Sequence, residues 1–343
     1  MPTRRPCWLL SCILVLGSLS TLVVYAGTTT EERQKFAAIQ SKAQQGLPEA
    51  QCDLGICFLK GVGVERNPVQ AVFWFRKAAD KGLPRAQFDL GACFAIGEGV
   101  ASDPVQAVSW YRKAIAGGDS HAQYYLGICH RNGFGVVKDS GQASALIRGA
   151  AEKGLADAQS MLGTDLLDHD IAQSVVWIRK AAEQGEPVSQ YNLGKFYADG
   201  VGVKRDLAQA VSWYRKSADQ GLIDAQVQLA DCYASGEGVG GDEDTVIALM
   251  RKAAEQGDPR GQNLLGLCYA TGLKLPKDEV EGCAYLTLAA RSSPSARDLL
   301  ARVNAGMTEV ARERAKARAK KLEEEVQARV AERNLARKFN VFY

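Results

Sequence analysis

Signatures of catalysis are what this sequence has least of. Only three histidines occur in 343 residues. His121, His130 and His169 form neither an HExxH pattern nor any other paired ligand spacing, so no metal site is predicted and the three read as surface or turn residues. No GxSxG or SxxK nucleophile motif is present, and no cysteine has a histidine and an asparagine arranged around it. An excess of charge of one sign is missing as well. The chain carries 42 Lys and Arg against 39 Asp and Glu, for a formal net charge of +3, and two of the positive charges, Arg4 and Arg5, fall in an N-terminal leader. That balance provides no global field to attract a nucleic acid. No cofactor is called for by any of these residues.

What the chain does have is one segment written many times. Its cleanest copy runs from Ala86 to His121, and Gly55, Gly91, Gly127 and Gly163 recur at intervals of 36 residues. Self-similarity of that period belongs to solenoids and arrays, in which each unit buries its apolar face against the next. Seven copies begin at Ala50, Ala86, Ala122, Ala158, Ser189, Ala225 and Gly261. The domain organisation follows: a leader over 1–26, a cap helix over 27–49, repeats over 50–295, and a C-terminal capping hairpin with a long basic helix over 296–343.

The leader has the three parts of an export signal. MPTRRP is basic, Cys7 to Val24 is an apolar run without a charged residue, and Val24-Tyr25-Ala26 offers a cleavage site after Ala26. The same run is long enough to span a bilayer as an uncleaved anchor with its basic flank in the cytoplasm. Either way the repeats are exported, and the expected location is the periplasm or beyond.

Within each copy the first helix is marked by a small starting residue, a Leu four positions on, and a small residue next to it, as in Ala86, Leu90 and Gly91. Leu occupies 54, 90, 126, 162, 193, 229 and 265 without exception, which makes it the core knob, and the adjacent small residue lets a neighbouring helix come close. Gly61, Gly97, Gly133, Gly200 and Gly236 fall where a left-handed C-terminal cap belongs. Asn67, Asp103, Asp139, Asp170, Asp206, Asp242 and Asp278 are the N-caps of the second helices. These carry Trp74, Trp110, Trp177 and Trp213 and close on basic residues, which complement the helix dipole. Copy four has lost five residues before Asp170 yet keeps the cap, so the loss is expected in the loop.

Nine cysteines less Cys7 and Cys12 of the leader leave an odd number. Cys57, Cys93, Cys129, Cys232 and Cys268 share one register, a helix-packing distance apart in a stack and too far for a disulfide, and read as small buried apolar residues. One pair, Cys268 and Cys283, sits at matching heights on the two helices of a hairpin and is expected close enough to oxidise.

The segment LGACFAIGEGVASDPVQAVSWYRKA resembles the Sel-one-like repeat (SLR) family, a relative of tetratricopeptide repeats, over about residues 42–295. The resemblance implies an all-α fold, a right-handed α-solenoid of antiparallel helix pairs, with a concave binding face. It departs where copy four lacks the Gly turn, copy six has Ala230 for Gly, and copy seven has Leu-Lys-Leu after its Gly. Some cysteine-rich relatives are associated with penicillin binding and weak β-lactam hydrolysis, so a β-lactamase-like enzyme is one alternative; their regular disulfide in each repeat is missing here. A secretory-lumen scaffold is another.

The leading expectation is a non-enzymatic scaffold, adaptor or regulator, monomeric, holding a protein or peptide partner outside the cytoplasm. The first helices line the concave face in this architecture, so the positions that vary there are the readers. Two residues after each start stand Phe88, Tyr124 and Tyr191, and one further on Asp53, Asp89, Tyr125, Asn192 and Gln228. Such aromatics with polar neighbours suit an extended peptide or a helix; filling gaps between repeats is the other reading of the same rings. The final Ala, Arg, Lys and Glu-rich helix, with Leu322, Val326 and Val330 every four residues, reads as the cap an array needs, or as a coiled-coil or anionic-surface element.

Overall fold

A computed structural model of the protein describes residues 29–340; the leader and residues 341–343 lie outside the described residues. The described chain is all-α. Seventeen helices follow in order: α1 (Thr30–Gln44), α2 (Pro48–Lys60), α3 (Pro68–Asp80), α4 (Pro84–Ile96), α5 (Pro104–Ala116), α6 (Ser120–Asn132), α7 (Ser140–Glu152), α8 (Ala156–Asp165), α9 (Ile171–Glu183), α10 (Pro187–Asp199), α11 (Leu207–Asp219), α12 (Ile223–Ser235), α13 (Glu243–Glu255), α14 (Pro259–Thr271), α15 (Glu279–Ala289), α16 (Pro294–Gly306) and α17 (Glu309–Asn340). None of the described helices is long and apolar enough to cross a membrane. The chain divides into two compact units at Ala150 and Ala151, and each is a stack of helix pairs.

In the first unit α1 covers the open side of α2 as an N-terminal cap. Thr29 and Glu32 close its start reciprocally, the Thr29 side chain accepting from Glu32 N at 3.2 Å and Glu32 Oε2 from Thr29 N at 2.7 Å. Phe36 and Ile39 of α1 pack with Ala43, Ala50 and Leu54. The pairs α2/α3 and α4/α5 follow, with α6 packed on α5. In the second unit α8/α9, α10/α11, α12/α13 and α14/α15 repeat the arrangement, and α16 and α17 pack on α15.

The predicted caps are where the sequence puts them. Gly61, Gly97, Gly133, Gly200 and Gly236 all hold left-handed φ between 71° and 74°. The second Gly of the turn is required for a different reason: a Cβ on Gly99 or Gly135 would run into the carbonyl of Pro68 or Pro104 at the start of the preceding repeat's second helix. Each N-cap Asx accepts from a backbone N–H two or three residues on, as Asp103 Oδ1 does from Val105 and Gln106 at 3.0 Å. In copy four the missing residues are taken from helix as well as loop. There α8 has 10 residues against 13 in α2, α4 and α6, and it ends on Leu166 in a right-handed conformation, while α9 keeps 13. No glycine is present at that point to supply the left-handed cap.

The Leu of the Leu-Gly pair is buried in every copy. Beside it, a Cβ added to Gly55, Gly91 or Gly194 would lie 2.6–2.8 Å from the ring of Phe75, Tyr111 or Tyr214, and at Gly127, Gly163 and Gly266 it would meet Ile147, Ile178 and Leu286. These partners, one residue after the Trp position, are the deepest side chains of the second helices; Tyr111, Tyr214, Phe75, Ile147, Ile178 and Leu286 are all fully buried. Copy six, with Ala230 in place of Gly, has the flexible Met250 at the partner position, in the same buried cluster. The Trp rings lie further out, and a Lys three residues on crosses each face: Lys113 Nζ is 3.7 Å from the Trp110 centroid and Lys216 Nζ 3.8 Å from that of Trp213.

A conserved-looking feature of the copies, the Gln one residue after each start, ties successive pairs together. Gln51, Gln87, Gln159 and Gln190 donate through Nε2 to the carbonyls of Ala43, Ala79, Ala151 and Ala182 at 3.1–3.2 Å, satisfying carbonyls at the ends of the preceding helices. In the second unit a further Gln extends each rung: Gln184 donates to Gln159 Oε1 at 2.7 Å, Gln220 to Gln190 Oε1 at 2.8 Å and Gln256 to Gln226 Oε1 at 3.1 Å. Arg333 of α17 ends the series on Gln256 Oε1 at 2.9 Å.

Candidate interaction face

The first helices present the positions two, three and six residues after each start. In the first unit two of the expected readers are interior. Phe88 is 3% exposed and stacks on Tyr111 with centroids 5.8 Å apart, so it fills the space between repeats. Asp89 is 0% exposed and accepts a hydrogen bond from Cys52 Sγ of α2 at 3.2 Å. Burial, and then the charge of Asp89, push the Cys52 thiol far above its ordinary pKa. The half-buried Tyr125 lies 5.6 Å from Phe88 and 6.2 Å from Tyr111, and Tyr124 meets Tyr125 edge-on at 5.3 Å. Asp53, also half-buried, pairs with Arg85 at 3.4 Å. The exposed His121 leans on Phe88 at 5.7 Å, whereas His130 is buried, contrary to its expected surface position.

In the second unit Tyr191, Asn192 and Gln228 are half-buried. Tyr191 tilts against Tyr214 at 5.8 Å, with Lys195 Nζ 6.0 Å over its ring; partial burial raises its phenol pKa, with Asp224 adding to the effect. Further along the same face is a cleft of about 720 Å³ between α12, α14 and α16, floored by Val246 and Met250 of α13. Its walls include Asn263 and Leu264, the second and third positions of copy seven, and Asp231 and Leu267, the sixth positions of copies six and seven. Arg260 at its edge is held by Asp258 (Nη2 to Oδ2 2.8 Å, Nε to Oδ1 3.1 Å) and Asp224 (Nη2 to Oδ1 3.1 Å), which keep the guanidinium charged. Desolvation raises the pKa of Asp231, with Arg260 opposing it.

The seven cysteines in the described chain are all free thiols. Four of the five in the shared register are buried and Cys232 is half-buried, in keeping with their reading as small apolar residues. The expected Cys268–Cys283 bond is not formed. Cys283 Sγ donates to Met307 Sδ at 3.2 Å, and the residue packs with Ala315, Leu300 and Val303. Among the described residues no group of three His, Cys, Asp or Glu is placed to hold a metal ion.

The geometry above is repeated unit by unit, and the Sel1 repeat model matches the chain at residues 48–83, 84–119, 120–155, 156–186, 187–222, 223–258 and 259–293. The chain belongs to the Sel1 repeat family. Its fold is therefore the solenoid of antiparallel helix pairs that the residue pattern implies. A Sel1 repeat protein from Oxalobacter formigenes is similar at 27% identity, with 90% of this chain and 89% of that one covered and a TM-score of 0.53. A protective antigen of uropathogenic Escherichia coli strains, described as displaying an SLR fold, is similar at 28% identity, covering 88% of this chain and 74% of that one with a TM-score of 0.50. No curated protein matches the chain. Sel1 repeat proteins are generally protein-interaction scaffolds.

Two groups on this Sel1 face escape a reading of the second and third positions alone. The sixth position reads Ile56, Ala92, Ile128, Thr164, Lys195, Asp231 and Leu267 through the copies; it is buried at Ala92 but exposed at Thr164, Lys195 and Asp231, and the polar residues at those three, directly after the Leu-Gly pair, are the signal that could have marked it. Of the serines on the rim of the cleft, Ser292 and Ser293 close the last matched repeat and Ser295 lies in the first turn of α16, outside the matched repeats.

Proposed function

We propose that this Sel1 repeat protein is a non-enzymatic scaffold or adaptor that acts as a monomer outside the cytoplasm and holds a protein or peptide partner on the face of its first helices. The observation that carries the reading is the cleft on that face in the second unit. It is lined by positions that the repeat leaves variable, with apolar walls and a few polar groups, which is the composition of a recognition surface. The half-buried Tyr124 and Tyr125 give the first unit an amphipathic shelf of the kind that anchors partners. Export is supported by the basic and apolar composition of residues 1–26, and an intact mass beginning at Gly27 in protein recovered from the cell envelope is the expected product.

Affinity capture from native envelope extract tests the binding reading. The mature chain should enrich a defined partner, and the double substitution Asn263→Arg, Leu267→Arg should reduce its recovery at least tenfold while leaving the helical circular dichroism unchanged. Equal recovery by the folded double variant would contradict the assignment of the face.

A further inference from the structure

We propose that the cleft between α12, α14 and α16 selects a peptide segment in which a large apolar side chain stands next to lysine or arginine, with Asp231 as the residue that sets the preference for the cation. The proposal rests on the reading of the first-helix face as the partner-binding face, and it adds the chemistry of the occupant.

Only two lining residues carry charge, Asp231 and Arg260. Arg260 is already engaged: its Nε and Nη2 donate to Asp258, and Nη2 also reaches Asp224. Two carboxylates on one guanidinium leave no cationic surplus for an acidic peptide or a phosphate. Asp231 is different. Among the described residues no ion pair or side-chain hydrogen bond involves its carboxylate, and the hydrogen bond that Ser235 Oγ makes to Asp231 goes to the main-chain carbonyl at 2.9 Å. The local balance is therefore negative, and the charge it lacks is positive.

The fold does not ask for an acid at this place. The equivalent residues of the other copies are Ile, Ala, Ile, Thr, Lys and Leu, so an aspartate here supports neither the helix pair nor the turn. Around it the walls are apolar, from Ala234, Val246, Met250, Leu264, Leu267 and Pro259, and they suit a branched or aromatic side chain. On the far rim Ser293 Oγ caps α16 and pairs with Ser295 Oγ at 3.0 Å, which leaves the hydroxyl of Ser292 to meet the polar main chain of the same segment. An apolar anchor beside a cation satisfies all three features together, with the carboxylate contributing orientation and selectivity.

The test uses the purified chain and two fluorescein-labelled probes, Ser-Leu-Lys-Phe-Leu-Ser and the charge-reversed Ser-Leu-Glu-Phe-Leu-Ser, with binding followed by fluorescence anisotropy. The wild-type protein should prefer the lysine peptide at least tenfold. Asp231→Asn should erase that preference, Asp231→Lys should invert it, and Leu267→Ala should weaken both peptides alike. Equal affinity of the wild type for both, a preference for the glutamate peptide, no binding of either, or a lysine preference that survives in Asp231→Asn would each overturn the proposal. Loss of charge selection would leave the binding face standing if native partner capture still depends on Asn263 and Leu267; failure of that capture test would remove the face itself.

Discussion

A Cβ added at Gly91 would lie 2.8 Å from two atoms of the Tyr111 ring, closer than a packed core accepts without movement. Gly91→Ala should therefore destabilise the first unit by about 1–3 kcal/mol, measured by denaturant unfolding. Copy six shows how the fold accommodates the extra methyl, with Met250 at the partner position of Ala230. The double variant Gly91→Ala, Tyr111→Met should accordingly recover at least half of the loss, and additive costs would contradict the pairing. Only part of this relation is legible in the sequence. The Leu-Gly knob and the Trp recur in plain view, but the residue after the Trp changes from Phe to Tyr, Ile, Met and Leu, so its depth is hidden by its variety. The interior cysteines carry a second prediction at this scale. Burial pushes the Cys129 thiol up from 9.0 to about 11, and Cys52 and Cys93 are raised further. The unfolded chain releases the Cys129 proton near pH 9 while the folded chain holds it to about 11. Stability is thus complete below pH 9 and falls between 9 and 11, by up to about 1.4 kcal/mol per pH unit for this thiol. Denaturant midpoints compared at pH 8 and pH 10.5 should show the fall, and Cys129→Ala should remove one thiol's share of it while Cys52 and Cys93 keep theirs; a slope unchanged in that variant would refute the assignment.

At the scale of elements, the C-terminal helix decides how the stack ends. The recurrence of Leu322, Val326 and Val330 supported both a cap and a free interaction helix, and its many charges obscured the choice. In the structure α17 lies along α15 and reaches α13, burying Ala319 and Leu322 against Ala284 and Leu288, and Ala315 against Cys283 and Met307. Arg318 pairs with Glu281 at 2.8 Å, Arg291 with Glu323 at 2.6 Å and Arg329 with Glu255 at 2.7 Å. Apolar burial dominates the energetics, since exposed ion pairs are individually worth about 0–1 kcal/mol. Leu322→Ala should cost about 2–5 kcal/mol, whereas Arg329→Ala should cost less than about 1 kcal/mol. Thermal unfolding of the two variants separates these values, and a larger effect at Arg329 would show that charge holds the cap. The shortened fourth copy belongs to this scale too: its N-cap Asp170 was legible, but the retreat of α8 by nearly a turn was not, because a deletion count does not say whether helix or loop absorbs it.

For the whole molecule, the repeated caps and core positions identify the helices and their order, and the face on which variable residues stand is what the Sel1 resemblance implies. It does not say which variable residue reaches solvent. Phe88 and Tyr124 hold the same place in consecutive copies, yet one is interior and the other half-buried, because depth depends on neighbours contributed by other repeats. The partner surface proposed above is accordingly made of what the repeat does not need: Tyr124 and Tyr125 in the first unit, and the cleft around Leu264, Leu267 and Asp231 in the second. Site-specific photo-crosslinking tests this claim most directly. A benzophenone side chain placed at Tyr124 or Leu267 on the first helices, or at the exposed Val105 or Val176 on the second helices, is irradiated in cells and the adducts are resolved by mass. Adducts to one partner at Tyr124 and Leu267, with none at Val105 and Val176, are the predicted result; adducts concentrated at Val105 and Val176 would place the partner on the second helices and contradict the account.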